Sequence, residues 1–367
     1  MRFADSETQR LLRSTARSYL AEAYPWQRLF RFERGEERHT GQSLGELAGL
    51  GWFGLIAPEA AGGGATLLDA AVVIEELGYA GVPAPVATAN VAAYLLSGAG
   101  QEVEGLLAKL ATGERLIAVS EASRRQASGG AAVVAAGGRL NGTLPLVPFA
   151  EVSASVLAPL VIDGEAALAA LPLAKAELEP VELIDRRGYA HAQFRDADTS
   201  DMLVLATGAA SAGLRERCDA LVTAFALVEL AGLMQRALEL TTAHITTRQQ
   251  FGQPIAKFQA ARHRAAELLM QVETTRWAAY HALWRFQEDP QDTDEVWLAK
   301  HWAARAADRV FQHSHMLHGG VGVGTEHPLH LFTQGVAAFA VRGGTMSEMV
   351  ARTLDSLRLT RPVEASR

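Results

Sequence analysis

The chain has 367 residues, 49% hydrophobic, 20% charged and 7% aromatic, which is enough apolar material for a large core and too much for a disordered polymer. A single core seldom grows beyond about 250–300 residues, so the length predicts two or three domains. With 34 Lys plus Arg against 41 Asp plus Glu the formal net charge is −7, which gives no global pull on nucleic acid.

In chain order, Met1 to Glu7 lacks the basic-then-apolar build of a signal peptide. Glu7 to Ala21 carries Leu11, Leu12, Ala16 and Leu20 at helical spacing, and a second helix is predicted over Leu68 to Leu77 after the loop Pro58 to Gly64. The middle has a different grammar. Short apolar runs such as Val133-Val134 and Ser155 to Ile162 lie between Gly, Pro and Asn punctuation, and Asp163-Gly164 suits a type I′ hairpin turn. The prolines there predict irregular or edge strands. Only Pro254, Pro290, Pro328 and Pro362 follow residue 180, leaving long windows where helices are permitted. Leu214, Cys218, Leu221, Phe225 and Val228 form one apolar face, and Leu268, Val272, Leu283 and Trp284 continue such a face after Pro254. The expected fold is mainly α with a small β domain: helical over 1–115, β over 116–205 and a helical bundle over 206–367.

Several chemistries drop out. One cysteine, Cys218, excludes an intrachain disulfide and a cysteine metal site, and its helical neighbours mark it as packing. The run Ala220 to Met234 is interrupted by Thr223 and Glu229 and is too short to cross a bilayer, so the chain reads as soluble and cytoplasmic. His313, His315, His318, His327 and His330 come without the helix or carboxylates of a zinc site, so no metal is expected. No G-x-S-x-G elbow occurs.

Two segments carry chemistry. Thr247 to Gln259 sets Arg248, Phe251 and several amides around a Gly-Pro break between long helices, where an Arg can take a phosphate by bidentate bonds. The alternative is a plain corner with Phe251 in the core and Arg248 solvated. Leu317 to Pro328 is Gly-rich, so its backbone can approach a ligand closely or simply turn between helices. It is neither a P-loop nor a dinucleotide fingerprint.

Taken together these motifs resemble the acyl-CoA dehydrogenase family of flavoproteins, over the whole chain. Pro58-Glu59 with Gly62-Gly63 and Glu75-Glu76-Leu77-Gly78 look like its amino-terminal signature. Arg248-x-x-Phe251-Gly252-x-Pro254-Ile255-x-x-Phe258-Gln259 is close to its most specific motif, and His318-Gly319-Gly320-Val321-Gly322 and Gly344-Thr345 match the later ones. The resemblance implies a helical domain, a β-barrel domain and a four-helix bundle, with FAD held between the last two and reaching a neighbouring subunit. By position, Arg248 and Phe251 would contact the FAD pyrophosphate and adenine side across the interface. Gln259, Gly319 and Gly320 would line the same cofactor, Thr345 its other end, and Val119 and Ser120 the flavin ring.

The departures are informative. Ala122-Ser123-Arg124-Arg125-Gln126 replaces the usual Pro and Gly-Ser pair, Leu144 to Pro148 stands for a Lys-x-Trp-x-Thr-type segment, and Met316 takes a place often held by Gln. The family removes the α-proton of an acyl-CoA thioester with a Glu at one of two places. Here those places hold Gly343 and Val222, and neither side chain accepts a proton. Glu229 lies seven residues from Val222, about 10 Å along a helix. The expectation is therefore the subunit lacking the base in a heteromeric acyl-CoA dehydrogenase, an α2β2 heterotetramer with a homologous partner and an electron-transfer acceptor. Steroid side-chain CoA is the suggested substrate. A self-sufficient enzyme with another base and a non-catalytic binding homologue are the alternatives. Neither nucleic acid nor membrane is an expected partner.

Overall fold

The structure is a computed structural model and describes residues 4–99, 103–121, 132–342, 351 and 354. Six helices come first: α1 (Glu7–Ala23), α2 (Trp26–Glu33), α3 (Gly41–Gly49), α4 (Leu67–Ala80), α5 (Val86–Ser97) and α6 (Glu104–Ala111). Ser6, Thr40 and Thr66 start three of them with reciprocal capping boxes, and Gly81 (φ 71°) closes α4 in the left-handed region. On α1 the buried residues are Ala16 and Leu20, while Leu11 is 67% exposed, so the expected apolar stripe is narrower than its periodicity implies.

Eight strands follow: β1 (Ile117–Val119), β2 (Val133–Ala136), β3 (Arg139–Val147), β4 (Ser155–Ile162), β5 (Glu165–Pro172), β6 (Glu177–Val181), β7 (Tyr189–Asp198) and β8 (Leu203–Thr207). They form one sheet in the order β6-β7-β3-β2-β4-β5-β8, with β1 parallel to β4. Asp163 (φ 45°) and Gly164 (φ 90°) turn β4 into β5 with Ile162 opposite Glu165, the hairpin that the dipeptide predicts. The prolines sit where the ladder can spare a donor. Pro180 is on the edge strand β6, Pro145 lies in the β3 bulge, and Pro159 falls between the stretches of β4 paired with β1 and β2.

Helices α7 (Gly208–Thr247), α8 (Gln259–Glu288), α9 (Asp294–His318) and α10 (Leu329–Val341) complete the described chain. Between Ala220 and Met234 α7 is buried on nearly every side, by α4, α5, α8, α9 and α10, so it is a central helix rather than a one-faced one. Burying each of its large apolar side chains stabilises by roughly 1.5–3 kcal/mol. The terminal helical regions share one apolar core, and most of the sheet's inward side chains form a second. Where α4 crosses α7 the backbones touch. A Cβ on Gly78 would lie 2.1 Å from Glu229 O, and one on Gly232 2.1 Å from Glu75 O. Only glycine permits that crossing. Beside it, Glu75 accepts from Arg13 at 2.8 Å, Arg276 at 2.6 Å and Tyr280 at 2.7 Å, while Glu76 accepts from Arg13 and Arg17, which pins α1, α4 and α8 together.

Candidate active site and cofactor surface

Helix α7 ends because Arg248 leaves helical geometry (φ −70°, ψ 126°). Two short strands, β9 (Gln249–Gln250) and β10 (Gln253–Pro254), then pair around Phe251 (φ 53°) and Gly252 (φ 78°), both left-handed. This two-residue turn lifts Phe251 to 91% exposure, where its ring meets Phe258 edge-on at 6.1 Å. The reading of a corner with Phe251 in the core is therefore overturned. Arg248 is exposed beside it, and Gln259 is the exposed first residue of α8.

Helix α9 ends at Gly319 (φ 62°), and both Gly319 and Gly320 are exposed, with no atom within 4 Å of where a Cβ would stand. Packing within the chain does not require Gly320 to be bare, so its missing side chain leaves room for something from outside. Histidines join the two segments. His244, one turn before Arg248, stacks on His318 at 4.5 Å, and His327 meets His318 at 4.9 Å. His318 Nδ1 donates to Ser314 O at 2.8 Å. Burial pushes His318 down to about 4, with His244 and His327 adding to the shift. Among the described residues no group of His, Cys, Asp or Glu could hold a metal ion. An exposed Arg, bare glycine backbone and an exposed aromatic ring suit the phosphates and rings of a dinucleotide.

Val119 and Ser120 lie at the end of β1. Val119 is buried, and Ser120 N donates to Leu157 O at 2.8 Å. Next to Ser120, Glu121 takes both arms of Arg342 at 2.9 and 2.5 Å, and these side chains are largely buried, 11% and 15% exposed. Arg342 is the neighbour of Gly343. Arg187 donates to Glu229 and lies 3.3 Å from Asp185, which accepts from Tyr189 at 2.9 Å. Lys300 completes the cluster, donating to Phe339 O at 2.7 Å. Burial works to raise the Glu121 carboxyl, but Arg342 holds it below the usual range. Burial and then Arg342 push Lys300 down to about 7. A cavity of about 20 Å³ remains between Arg187, Glu229, Ala226 and Arg342, room for about one water.

Val222 is half-buried on α7, and Glu229 on the same helix is engaged by Arg187. Gly343, Thr345 and the Ala122 to Gln126 departure lie outside the described residues. The sequence reading missed Arg187, Lys300 and Arg342, because no spacing links them to Glu229, Phe339 and Glu121 across the chain.

The comparisons with known proteins agree with this architecture. Residues 6–114 match the acyl-CoA dehydrogenase N-terminal domain, and residues 223–355 match the C-terminal domain. Acyl-CoA dehydrogenase FadE27 of Mycobacterium tuberculosis is 30% identical over 335 residues, covering 84% of this chain and 87% of that protein. IpdE2 of the same organism is 26% identical over 329 residues, covering 89% and 90%. Among solved structures, the ChsE4-ChsE5 complex from M. tuberculosis superposes with a TM-score of 0.87 at 26% identity, covering 99% of this chain and 100% of the other. The Tcur3481-Tcur3483 steroid ACAD gives 0.86 at 25%, covering 96% and 98%. With the Arg248 hairpin, the Gly319 turn and the α4–α7 crossing in place, and with both terminal regions and full-length relatives in agreement, the chain belongs to the acyl-CoA dehydrogenase family.

Proposed function

We propose that this chain is the subunit without a catalytic base in a heteromeric FAD-dependent acyl-CoA dehydrogenase, an α2β2 assembly whose homologous partner supplies the Glu. The observation that carries the reading is the lack of a proton acceptor at both family base positions, Val222 and Gly343. The nearby Glu229 cannot substitute while Arg187 neutralises it. Arg248 would bind the cofactor phosphates by charge-assisted bonds, Gly319 and Gly320 would let them approach the backbone, and Phe251 and Gln259 would flank the adenine side. Val119, Ser120 and Thr345 would stand toward the flavin ring. Bound FAD supplies the two-electron acceptor for the β-hydride. An electron-transfer protein would accept the electrons from the assembly.

The likeness to a steroid ACAD and to the two-component ChsE4-ChsE5 complex supports a steroid side-chain CoA thioester as substrate. The division into 1–115, 116–205 and 206–367 is part of the same proposal. Helix α7 is long and apolar enough to cross a membrane, but 78% of that window is buried inside the protein, which supports a core helix; a cytoplasmic location is part of the same proposal.

The test is to purify the chain alone and together with a homologous dehydrogenase that carries the Glu, then to assay both with straight-chain and steroid side-chain CoA thioesters. The expected result is no flavin reduction by the chain alone, turnover by the pair, and preference for the steroid thioester. General-base catalysis typically contributes about 10²–10⁴-fold, so the contrast is large. Robust turnover by the single polypeptide would overturn the proposal, and preference for short linear substrates would remove its steroid part.

A further inference from the structure

Strand β1 and the last turn of α10 come from distant parts of the chain, and one side-chain pair joins them. Glu121 follows Ser120 at the end of β1, and Arg342 caps α10. Arg342 Nε and Nη2 donate to the two Glu121 oxygens at 2.9 and 2.5 Å, a two-armed contact between residues 221 positions apart. Two parallel bonds fix both the spacing and the orientation of the groups they join, which a single bond or a lone ammonium does not.

Each end of the pair is itself anchored. Ser120 N donates to Leu157 O at 2.8 Å, which holds the end of β1 against β4. At the other end, Arg342 N donates to Ala338 O and Phe339 O, and Lys300 of α9 donates to the same Phe339 O at 2.7 Å. Lys300 is buried, so a second shielded cation holds that last turn. The nearby Arg187–Glu229 pair joins the stretch before β7 to α7 instead.

Stability is a weak reason for such a pair. The cost of taking two charges out of water can exceed their attraction, and well-packed apolar residues of similar volume often stabilise as well or better. What apolar residues lack is directional geometry. Ser120 directly precedes Glu121, and Gly343-Gly344-Thr345 directly follow Arg342. On the functional reading above, on which this inference rests, Ser120 and Thr345 stand toward the flavin ring, one from each of the segments that the pair ties together.

We infer that Glu121 and Arg342 are positioning residues for the flavin-ring end of the cofactor site. Their two-armed contact sets the spacing between the segment at Ser120 and the segment at Thr345, while Arg248 and Phe251 serve the phosphate and adenine end. The test compares FAD with ADP, which carries adenine and phosphates but no flavin ring. Both are titrated by calorimetry into the flavin-free assembly of this chain with its homologous partner. Glu121→Gln combined with Arg342→Met leaves no bare charge to prevent folding. The double variant should weaken FAD by about tenfold or more, as loss of a supporting residue does at metal sites, and should leave ADP unchanged. Arg342→Lys, which keeps the charge but not the two arms, should give an intermediate ratio of the two affinities without depending on the double variant. Arg276→Met breaks a comparable contact to Glu75 elsewhere, so it should lower stability and leave that ratio as it is in the unmodified chain. An unchanged ratio in the folded double variant, equal weakening of both ligands, or the same shift in Arg276→Met would overturn this inference alone. An unmodified assembly that took up neither FAD nor ADP would overturn the cofactor reading and this inference with it.

Discussion

Around Glu121, Arg187, Glu229 and Arg342 the chain answers each buried charge with a counter-charge of its own, whereas around Arg248, Phe251 and Gly319 it presents an arginine, an aromatic ring and bare backbone to the outside. Both regions belong to an acyl-CoA dehydrogenase fold, and both adjoin positions where the family works. The first is complete without any partner. The second makes sense only when something covers it, since a phenylalanine exposed to 91% gains nothing from the fold of its own chain.

The contrast can be broken first from the buried side. Arg342→Met leaves the Glu121 carboxylate buried without its partner and should cost about 3–5 kcal/mol in urea unfolding. Adding Glu121→Gln should recover much of that loss, because the double change removes both charges. A loss below about 1 kcal/mol for the single variant would mean that the pair is open to water.

The outer side should behave in the opposite way. Arg248→Ala should change unfolding free energy by no more than about 0.5 kcal/mol, as expected of an exposed side chain, yet should strip flavin from the purified assembly. Flavin absorbance per chain is the measurement. Unchanged flavin content would remove Arg248 from the cofactor surface.

Acid offers a finer probe of the same surface. His318 is held neutral in the folded chain down to about 4, against an ordinary value near 6.5. Between those values the unfolded chain binds the proton and the folded chain does not. Stability therefore falls as the pH drops from about 6.5 toward 4, and the loss is complete below about 4. His318→Gln should flatten that limb of a melting-temperature profile, and an unaltered profile would place the acid sensitivity elsewhere. The smallest effect on the isolated chain should come from Phe251→Ser, which should leave its melting temperature nearly unchanged while weakening assembly about tenfold or more in a dilution series.

Local signals were legible wherever neighbouring residues decide the geometry. Asp163-Gly164 predicted its hairpin because a I′ turn needs two left-handed residues in succession, and the strand prolines predicted edges and bulges because they lack a donor. The helices α2, α3, α5 and α6 escaped the sequence reading, being short or flanked by glycine and proline, and only packing makes such segments stable. Leu11 followed the helical period yet faces solvent, since periodicity ranks faces without saying how wide the neighbour is.

By itself the sequence determined the order of helical, β and helical regions, the glycines at turns and crossings, and the absence of a proton acceptor at residues 222 and 343. Those properties depend on what each residue is and on its near neighbours. Only the tertiary structure decided that Phe251 points outward and that Arg342 closes on Glu121 across 221 positions. Each depends on which distant segment arrives beside the residue, and contacts made through space leave no period or spacing in the chain.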